Sequence, residues 1–265
     1  MYESFLALSL LGIAAFAAGV INTLAGGGTL LTFPSLLSLM PGLEEIANAT
    51  STVALVPGSM SGAWGFRREL RGTGPWLTLL VGPSLLGGLV GAVLLFHLPS
   101  GTFKLLIPWL LLTASLLFMA QPTMARWLKA HETIGMPTLA WRAGVVVFQF
   151  FVAVYGGYFG AGIGILMLSS LGFMGLGDIH RMNAVKTFLA ACINGVAVVV
   201  FVYEGKVRWD YALLMAVCAI AGGYAGSSVG RRLPRQLVRW FVIAVGLGLA
   251  AYYFAKQAGY AGMQA

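Results

Sequence analysis

Long apolar runs recur along the whole chain and are separated by short links that carry charges, proline or glycine. A run of about 20 apolar residues is what a helix needs to cross the roughly 30 Å hydrocarbon core of a bilayer. Only 9% of the 265 residues are charged and 59% are hydrophobic. Such a chain has too few charged side chains to cover a water-soluble globule. The sequence therefore predicts an all-α polytopic membrane protein.

Ten segments of the chain are predicted to be helical. Glu3 is the only charge ahead of the first segment, so we expect mature structure there rather than a cleaved signal peptide. Two of the segments, residues 29–40 and 165–174, have a helical length of only about 15–18 Å, which is too short for a full crossing. The predicted segments are residues 5–24, 29–40, 48–66, 75–96, 102–119, 143–155, 165–174, 181–203, 211–229 and 237–254.

Cysteine content and net charge exclude several kinds of site. Cys192 and Cys218 lie inside apolar segments, which favours small hydrophobic side chains over a disulfide or a metal site. No metal or cofactor is expected. The net charge of +8 does not indicate nucleic acid binding, because the basic residues occur singly or in pairs at the ends of apolar segments. These charges instead indicate the membrane topology.

Two glycine-rich stretches, residues 25–29 and 156–164, interrupt apolar runs at corresponding places in the two halves of the chain. A glycine inside a helix costs about 1 kcal/mol relative to alanine, so we expect each helix to break there. Irregular backbone at membrane depth persists only where protein or a water-filled cavity satisfies it, and transporters place substrate sites at such breaks. Three consecutive glycines exceed what helix packing requires. The stretches therefore predict a binding site.

The two halves of the chain match each other, which indicates an internal duplication. A shift of 135 positions takes Asn183 to Asn48 and Thr187 to Thr52. The same shift takes a second set of glycines, for which we favour close helix packing, onto its counterparts: Gly222, Gly223 and Gly226 onto Gly87, Gly88 and Gly91.

Near the breaks, a shift of 136 positions aligns Gly162 and Gly164 with Gly26 and Gly28, and Ser170 with Pro34. We divide the chain into a first transmembrane repeat, residues 1–120, an aqueous connecting loop, residues 121–142, and a second transmembrane repeat, residues 143–265.

Basic residues distinguish two arrangements of these repeats. If the short segments after the breaks only dip into the membrane, the basic residues divide nine to seven between the two sides. If those segments cross, each repeat has about five segments, the repeats are inverted and twelve of the sixteen basic residues share one side. The positive-inside rule favours this second arrangement, which places both termini outside. The twelve are Arg67, Arg68, Arg71, Arg126, Lys129, Arg142, Arg181, Lys186, Arg231, Arg232, Arg235 and Arg239.

Four motifs together resemble the TauE/SafE sulfite exporter family, also called the 4-toluenesulfonate uptake permeases. They are Ala25-Gly-Gly-Gly-Thr-Leu-Leu-Thr-Phe-Pro34, Asn48-Ala-Thr-Ser-Thr52, Gly157-Tyr-Phe-Gly-Ala-Gly-Ile-Gly164 and Asn183-Ala-Val-Lys-Thr187. The resemblance implies transport of sulfite, sulfoacetate, thiosulfate or organosulfonates across the bacterial inner membrane, with export as the expected direction. Ser170 stands where the second repeat of the family usually carries a proline.

An oxyanion needs hydrogen-bond donors, and a broken helix supplies them at the N-terminus of its second half. Inverted repeats would bring the two breaks together near the membrane centre. Neutral side-chain donors would hold the anion weakly enough for release. The candidate substrate-binding residues are Asn22, Ala25, Gly26, Gly27, Gly28, Thr29, Thr32, Asn48, Ser51, Thr52, Gly160, Gly162, Gly164, Asn183, Lys186, Thr187 and Asn194.

Lys186 is the sharpest of these candidates, because it lies about one turn inside its predicted segment. An ammonium at that depth is costly unless it is paired or hydrated, and a transported anion would pair with it. The alternative is that its side chain extends to the lipid headgroups. The sequence leaves both interpretations open.

Two other classes of protein fit the sequence less well than a transporter does. An intramembrane enzyme would need Ser59 or Ser61 beside a histidine, but the histidines lie at segment ends or in links. A membrane assembly subunit would leave the paired breaks unexplained. The sequence leaves open whether the chain imports instead of exports, whether a proton or sodium ion drives transport, and whether it forms a homodimer.

Overall fold

The computed structural model describes residues 2–24, 26–99, 101–130, 139–173, 176, 179–229 and 235–262. These residues form ten α-helices and no strand, which confirms the all-α prediction for this part of the chain. The helices are α1 (Tyr2–Leu24), α2 (Thr29–Leu39), α3 (Glu44–Gly65), α4 (Gly74–His97), α5 (Thr102–Ala130), α6 (Leu139–Tyr158), α7 (Ile163–Phe173), α8 (Ile179–Tyr203), α9 (Trp209–Val229) and α10 (Arg235–Gly262).

Seven of the described helices are long and apolar enough to cross a membrane: α1, α4, α5, α6, α8, α9 and α10. The protein is therefore a multi-pass membrane protein. Helices α2 and α7 have 11 residues each, which corresponds to about 16 Å. Helix α3 has 22 residues but is not among these seven.

Helix α3 can be polar because the other helices surround its first half. Asn48, Thr50, Ser51 and Thr52 are all buried, together with the apolar residues between and after them. The helix contacts α9, α8, α2 and α1. Its hydroxyl and amide groups therefore face protein rather than lipid, where they would be costly.

The helix contacts follow the same pattern in the two halves of the chain. If α1 to α5 are matched in order with α6 to α10, each of the main contacts has a counterpart. The contact between α4 and α6 has its counterpart between α9 and α1, and the contact between α3 and α9 has its counterpart between α8 and α4. Helices α5 and α10 contact each other, as do α3 and α8, so these two pairs are their own counterparts. The duplicated sequence thus builds a duplicated pattern of packing.

The second set of glycines lies at helix contacts, as predicted. A Cβ atom added to Gly91 would overlap the carbonyl oxygen of Val154 on α6. The matching Gly226 of α9 faces the backbone of Val20 on α1, where an added Cβ would lie 3.0 Å from the carbonyl oxygen. These glycines allow the helix backbones to approach closely, as small residues do in membrane proteins.

The described parts of the predicted connecting loop 121–142, residues 121–130 and 139–142, are helical. Helix α5 continues to Ala130 and α6 already begins at Leu139. Residues 131–138 lie outside the described part of the chain. A loop that begins at residue 121 is therefore wrong, because the polar residues after position 120 do not end the helix. They end only its apolar character, since Met, Ala, Leu, Lys and Arg are good helix formers in water as well.

Candidate functional site

The two glycine-rich breaks contact each other. Helix α1 ends at Leu24 and α2 begins at Thr29, while α6 ends at Tyr158 and α7 begins at Ile163. The backbone amide of Gly162 donates a hydrogen bond to the carbonyl oxygen of Gly26 at 3.0 Å. The structure therefore brings together the two stretches that the sequence singled out.

Gly26 needs glycine for two reasons. Its φ angle is +79°, a left-handed conformation that side chains disfavour. A Cβ atom at this position would also lie 2.6 Å from the Cα atom of Gly164. The two backbones can approach this closely only because neither residue has a side chain.

The local hydrogen bonds of the two breaks are equivalent under a shift of 134 positions. The amide of Gly26 bonds the carbonyl of Ile21, and 134 positions later the amide of Gly160 bonds the carbonyl of Tyr155. The bond from Leu31 to Gly28 likewise recurs between Ile165 and Gly162.

This register corrects the alignment made from the sequence, which shifted the breaks by 136 positions. Gly160, not Gly162, is the counterpart of Gly26, and Leu168, not Ser170, is the counterpart of Pro34. The error arose because the second stretch has a glycine at every other position, so that two registers match glycine to glycine. Only the backbone hydrogen bonds distinguish them.

Helices α2 and α7 direct their N-termini toward the region where the breaks meet. Among the described residues, no backbone acceptor bonds the amides of Gly28, Ile163 or Gly164. The first amides of a helix have no intrahelical partner and carry a partial positive charge. Two such helix ends create a positive potential beside the Gly26–Gly162 contact.

Lys186 of α8 brings a basic side chain into this region. Its side chain is fully buried, and its ammonium donates a hydrogen bond to the carbonyl oxygen of Thr23 at 3.1 Å. Thr23 lies in the last turn of α1, so the cation faces the negative end of a helix dipole. The interpretation that Lys186 extends to the headgroups is wrong, because burial and this bond hold the ammonium inside the helix bundle.

Asn48 of α3 caps the end of α6, the other helix that ends at a break. Its side-chain amide donates a hydrogen bond to the carbonyl oxygen of Tyr158 at 3.0 Å. Its own oxygen Oδ1 is buried and has no partner among the described residues, and the same is true of Oδ1 of Asn183 and of the Tyr158 hydroxyl. Each helix break is thus capped by a side chain of the other half of the chain.

Thr29 and Asn194 lie beside the second break. A Cβ atom on Gly160 would be 3.6 Å from Oγ1 of Thr29 and 3.8 Å from Oδ1 of Asn194. Both side chains are buried, and neither makes a hydrogen bond to a residue that the structure describes. They are neutral polar groups whose hydrogen-bonding capacity is unused.

Five other predicted side chains already use their donors in this conformation. The hydroxyls of Thr32 and Ser51 lie 2.6 Å apart and bond each other. Thr52 and Thr187 donate to carbonyls of their own helices, four residues earlier. The amide of Asn22 donates to the hydroxyl of Ser59 at 2.7 Å. Each of these side chains therefore has a hydrogen-bond partner within the protein.

Close packing explains the other glycines of the first break. A Cβ atom on Gly27 would overlap the ring of Phe118, and one on Gly28 would lie 2.5 Å from the carbonyl oxygen of Ala18. The inference that three glycines exceed what packing requires is therefore wrong. Ala25 lies outside the described residues.

Comparison with known proteins identifies the family. The family model for TauE, described as sulfite exporter TauE/SafE, matches residues 11–253. The chain belongs to the TauE/SafE family. It is 28% identical over 253 residues to the probable membrane transporter protein ORF9 of Sinorhizobium sp, covering 93% of this chain and 92% of the relative.

Two further relatives have similar coverage. The probable membrane transporter protein YfcA of Escherichia coli K12 is 26% identical over 251 residues, which is 93% of this chain and 89% of the relative. A probable membrane transporter protein of Haemophilus influenzae is 25% identical over 248 residues, which is 92% of this chain and 93% of the relative. The resemblance found in the motifs is confirmed, and the chain is a TauE/SafE membrane transporter.

Three residues of this TauE/SafE transporter were missed as site residues. Thr23 and Tyr158 supply the carbonyls that Lys186 and Asn48 cap, and Phe118 covers Gly27. Thr23 and Tyr158 lie at the helix ends beside the breaks, so their positions in the sequence could have indicated them. Phe118 belongs to α5, and no local pattern links it to the first break.

The two serines that an intramembrane enzyme would need have other partners in this TauE/SafE transporter. Ser59 accepts the hydrogen bond of Asn22, and Ser61 donates to the carbonyl oxygen of Ile220. The ring of His97 lies 3.0 Å from the carbonyl oxygen of Val93, at the end of α4. This arrangement offers no activated nucleophile of the serine–histidine kind among these residues.

Proposed function

We propose that this TauE/SafE transporter exports small sulfur-containing anions, such as sulfite or organosulfonates, across the bacterial inner membrane. Transport proceeds by alternating access around a site between the α1–α2 break and the α6–α7 break. The direction and substrate class follow the description of the family model, sulfite exporter TauE/SafE. The geometry of the breaks supports an anionic substrate independently of that description.

The observation that carries the proposal is the buried ammonium of Lys186, bonded to the Thr23 carbonyl beside the paired breaks. An ammonium has three N–H donors, and one of them has a partner among the described residues. No carboxylate of the described residues lies within ion-pair distance of it. A buried charge of this kind is retained where it serves a ligand or an ion pathway.

Neutral groups around the lysine would complete the site. The free amides at the starts of α2 and α7 would bond the oxygens of the anion. The hydroxyl of Thr29 and the side-chain amide of Asn194 have no hydrogen-bond partner among the described residues, and both side chains lie at the second break. Because these donors are neutral, the anion is held weakly enough to leave again.

The matched helix contacts support inverted repeats of about five segments each. In this arrangement α2, α3 and α7 cross the membrane together with the seven apolar helices. Helix tilt or local thinning of the bilayer would let the short α2 and α7 cross. The distribution of basic residues supports termini on the outer side.

The proposal is tested by anion flux in proteoliposomes that contain the purified chain. A panel of sulfite, thiosulfate, sulfoacetate and taurine covers inorganic and organic sulfur oxyanions, with zwitterionic taurine as a test of net charge. We expect saturable uptake of at least one anion, and imposed proton or sodium gradients then identify the driving ion. Flux equal to that of protein-free liposomes for the whole panel would refute the proposal.

Export is tested in cells that overproduce the chain. After loading with the transported anion, these cells should lose it faster than cells carrying an empty vector. Faster accumulation instead would mean that the chain imports its substrate.

A further inference from the structure

We infer that the site selects monovalent over divalent oxyanions, and that Lys186 is the residue that sets this preference. The inference rests on the proposed function and narrows its substrate class. It favours hydrogensulfite and singly charged sulfonates over thiosulfate, sulfoacetate and other dianions.

Lys186 is the one charged side chain that is buried among the residues that the structure describes. The other buried polar side chains near the breaks are neutral amides and hydroxyls. They include Thr29, Asn48, Ser51 and Asn194. Among the described residues, the buried side-chain charge available to an anion is therefore that of Lys186.

The other half of the chain does not supply a second cation. Under the shift of 135 positions that relates α8 to α3, the counterpart of Lys186 is Ser51. The Ser51 hydroxyl bonds that of Thr32 at 2.6 Å, so this position is neutral and already paired. The duplicated scaffold is thus asymmetric in charge.

The nearest formal charge along α3 has the opposite sign. Glu45 lies one turn before Asn48 and is half-buried at the start of the helix. A carboxylate on this element opposes a second negative charge in the site.

The physical reason for selectivity is charge compensation during burial. A monoanion paired with the Lys186 ammonium leaves no net charge in the bundle. A dianion leaves one negative charge without a counterion, and burying an uncompensated charge is strongly unfavourable. Helix ends and neutral donors offset only part of that cost, because their charges are partial.

Methanesulfonate and sulfate provide a matched pair of probes, since both are tetrahedral and similar in size but carry one and two negative charges. Each competes with the anion that the flux assay identifies, at constant ionic strength, in proteoliposomes of the full chain. We expect methanesulfonate to compete at a concentration lower by about tenfold or more. Equal or stronger competition by sulfate, or no competition by methanesulfonate, would overturn the inference.

Substitutions test the role of Lys186 itself. In Lys186→Gln we expect apparent methanesulfonate affinity to fall by about tenfold or more, and the preference over sulfate to fall with it. Lys186→Arg keeps the charge and should keep the preference. Lys206→Gln makes the same chemical change at an exposed position outside the site and should leave both unchanged.

The outcomes separate the inference from the proposed function. Preference retained at full strength in folded Lys186→Gln would overturn the role of this residue. If Lys186→Gln does not fold, the wild-type comparison of the two probes decides the charge preference alone. Absence of flux for every sulfur anion would refute the proposed function, whereas flux with sulfate as the better competitor would refute only the inference.

Discussion

The backbone amide of Gly162 donates a hydrogen bond to the carbonyl oxygen of Gly26, with nitrogen and oxygen 3.0 Å apart. The bond joins the irregular segment of one half of the chain to that of the other. Backbone groups that leave a helix inside a membrane protein need partners, and here one break supplies the partner for the other. Each break therefore contributes one partner to the hydrogen bond that joins them.

Gly26→Ala should destabilise the protein more than Gly72→Ala. Both glycines have left-handed φ angles, +79° and +83°. An added Cβ at Gly26 meets Gly164, whereas nothing lies within 4 Å of one at Gly72. Each substitution carries a backbone cost of about 1–2 kcal/mol, and the first adds about 1–3 kcal/mol of overpacking. Thermal unfolding in detergent measures the difference, and equal melting temperatures would contradict the contact between the breaks.

Gly91→Ala should destabilise the contact between α4 and α6, because the new Cβ would overlap the carbonyl oxygen of Val154. Gly144 of α6 is the control, since nothing lies within 4 Å of a Cβ at that position. Gly144→Ala should be neutral or slightly stabilising, because alanine favours a helix by up to about 1 kcal/mol. Thermal unfolding of both variants is the measurement. A Gly91→Ala protein as stable as wild type would exclude close packing here.

Thr29→Val should weaken transport without destabilising the protein. Valine has the shape of threonine, and the Thr29 hydroxyl makes no hydrogen bond to a described residue, so folding loses nothing there. Loss of a donor to the anion should raise KM by about threefold to tenfold. Thr78→Val is the control, because its exposed hydroxyl bonds only its own helix. Unchanged KM in Thr29→Val would remove this residue from the site.

Reporter fusions at Ala265 and near Lys129 should report opposite sides of the membrane, with Lys129 cytoplasmic. This outcome follows from about five crossings in each half. If only the seven apolar helices crossed, with three of them before Lys129, both reporters would lie on the same side. Eight crossings, four in each half, would also place them together. A shared location therefore rejects the inverted arrangement.

Helix number and the positions of the breaks could be predicted from sequence because their causes are local. A long apolar run favours a helix in lipid, and consecutive glycines disfavour one. The predicted segment 29–40 corresponds to α2 at Thr29–Leu39, and the predicted segment 181–203 corresponds to α8 at Ile179–Tyr203. The end of α5 was missed because residues 120–130 lose apolar character without losing helical propensity.

The candidate site was only partly predictable. Lys186 was predicted because an ammonium inside an apolar segment needs a partner, and Asn48 because its neutral amide could donate to an anion. It also selected Thr52 and Thr187, whose hydroxyls instead bond their own helices. Polar residue type alone does not distinguish a free donor from a paired one.

The sequence by itself determined the class of the protein, its duplication and the places where its helices break, since hydrophobicity and glycine content act over a few neighbouring residues. Only the tertiary structure decided which groups meet. The Lys186 ammonium bonds the Thr23 carbonyl across 163 positions of sequence. That pairing depends on how α8 and α1 are rotated and placed in the bundle, because a side chain reaches a distant carbonyl only when packing directs it there.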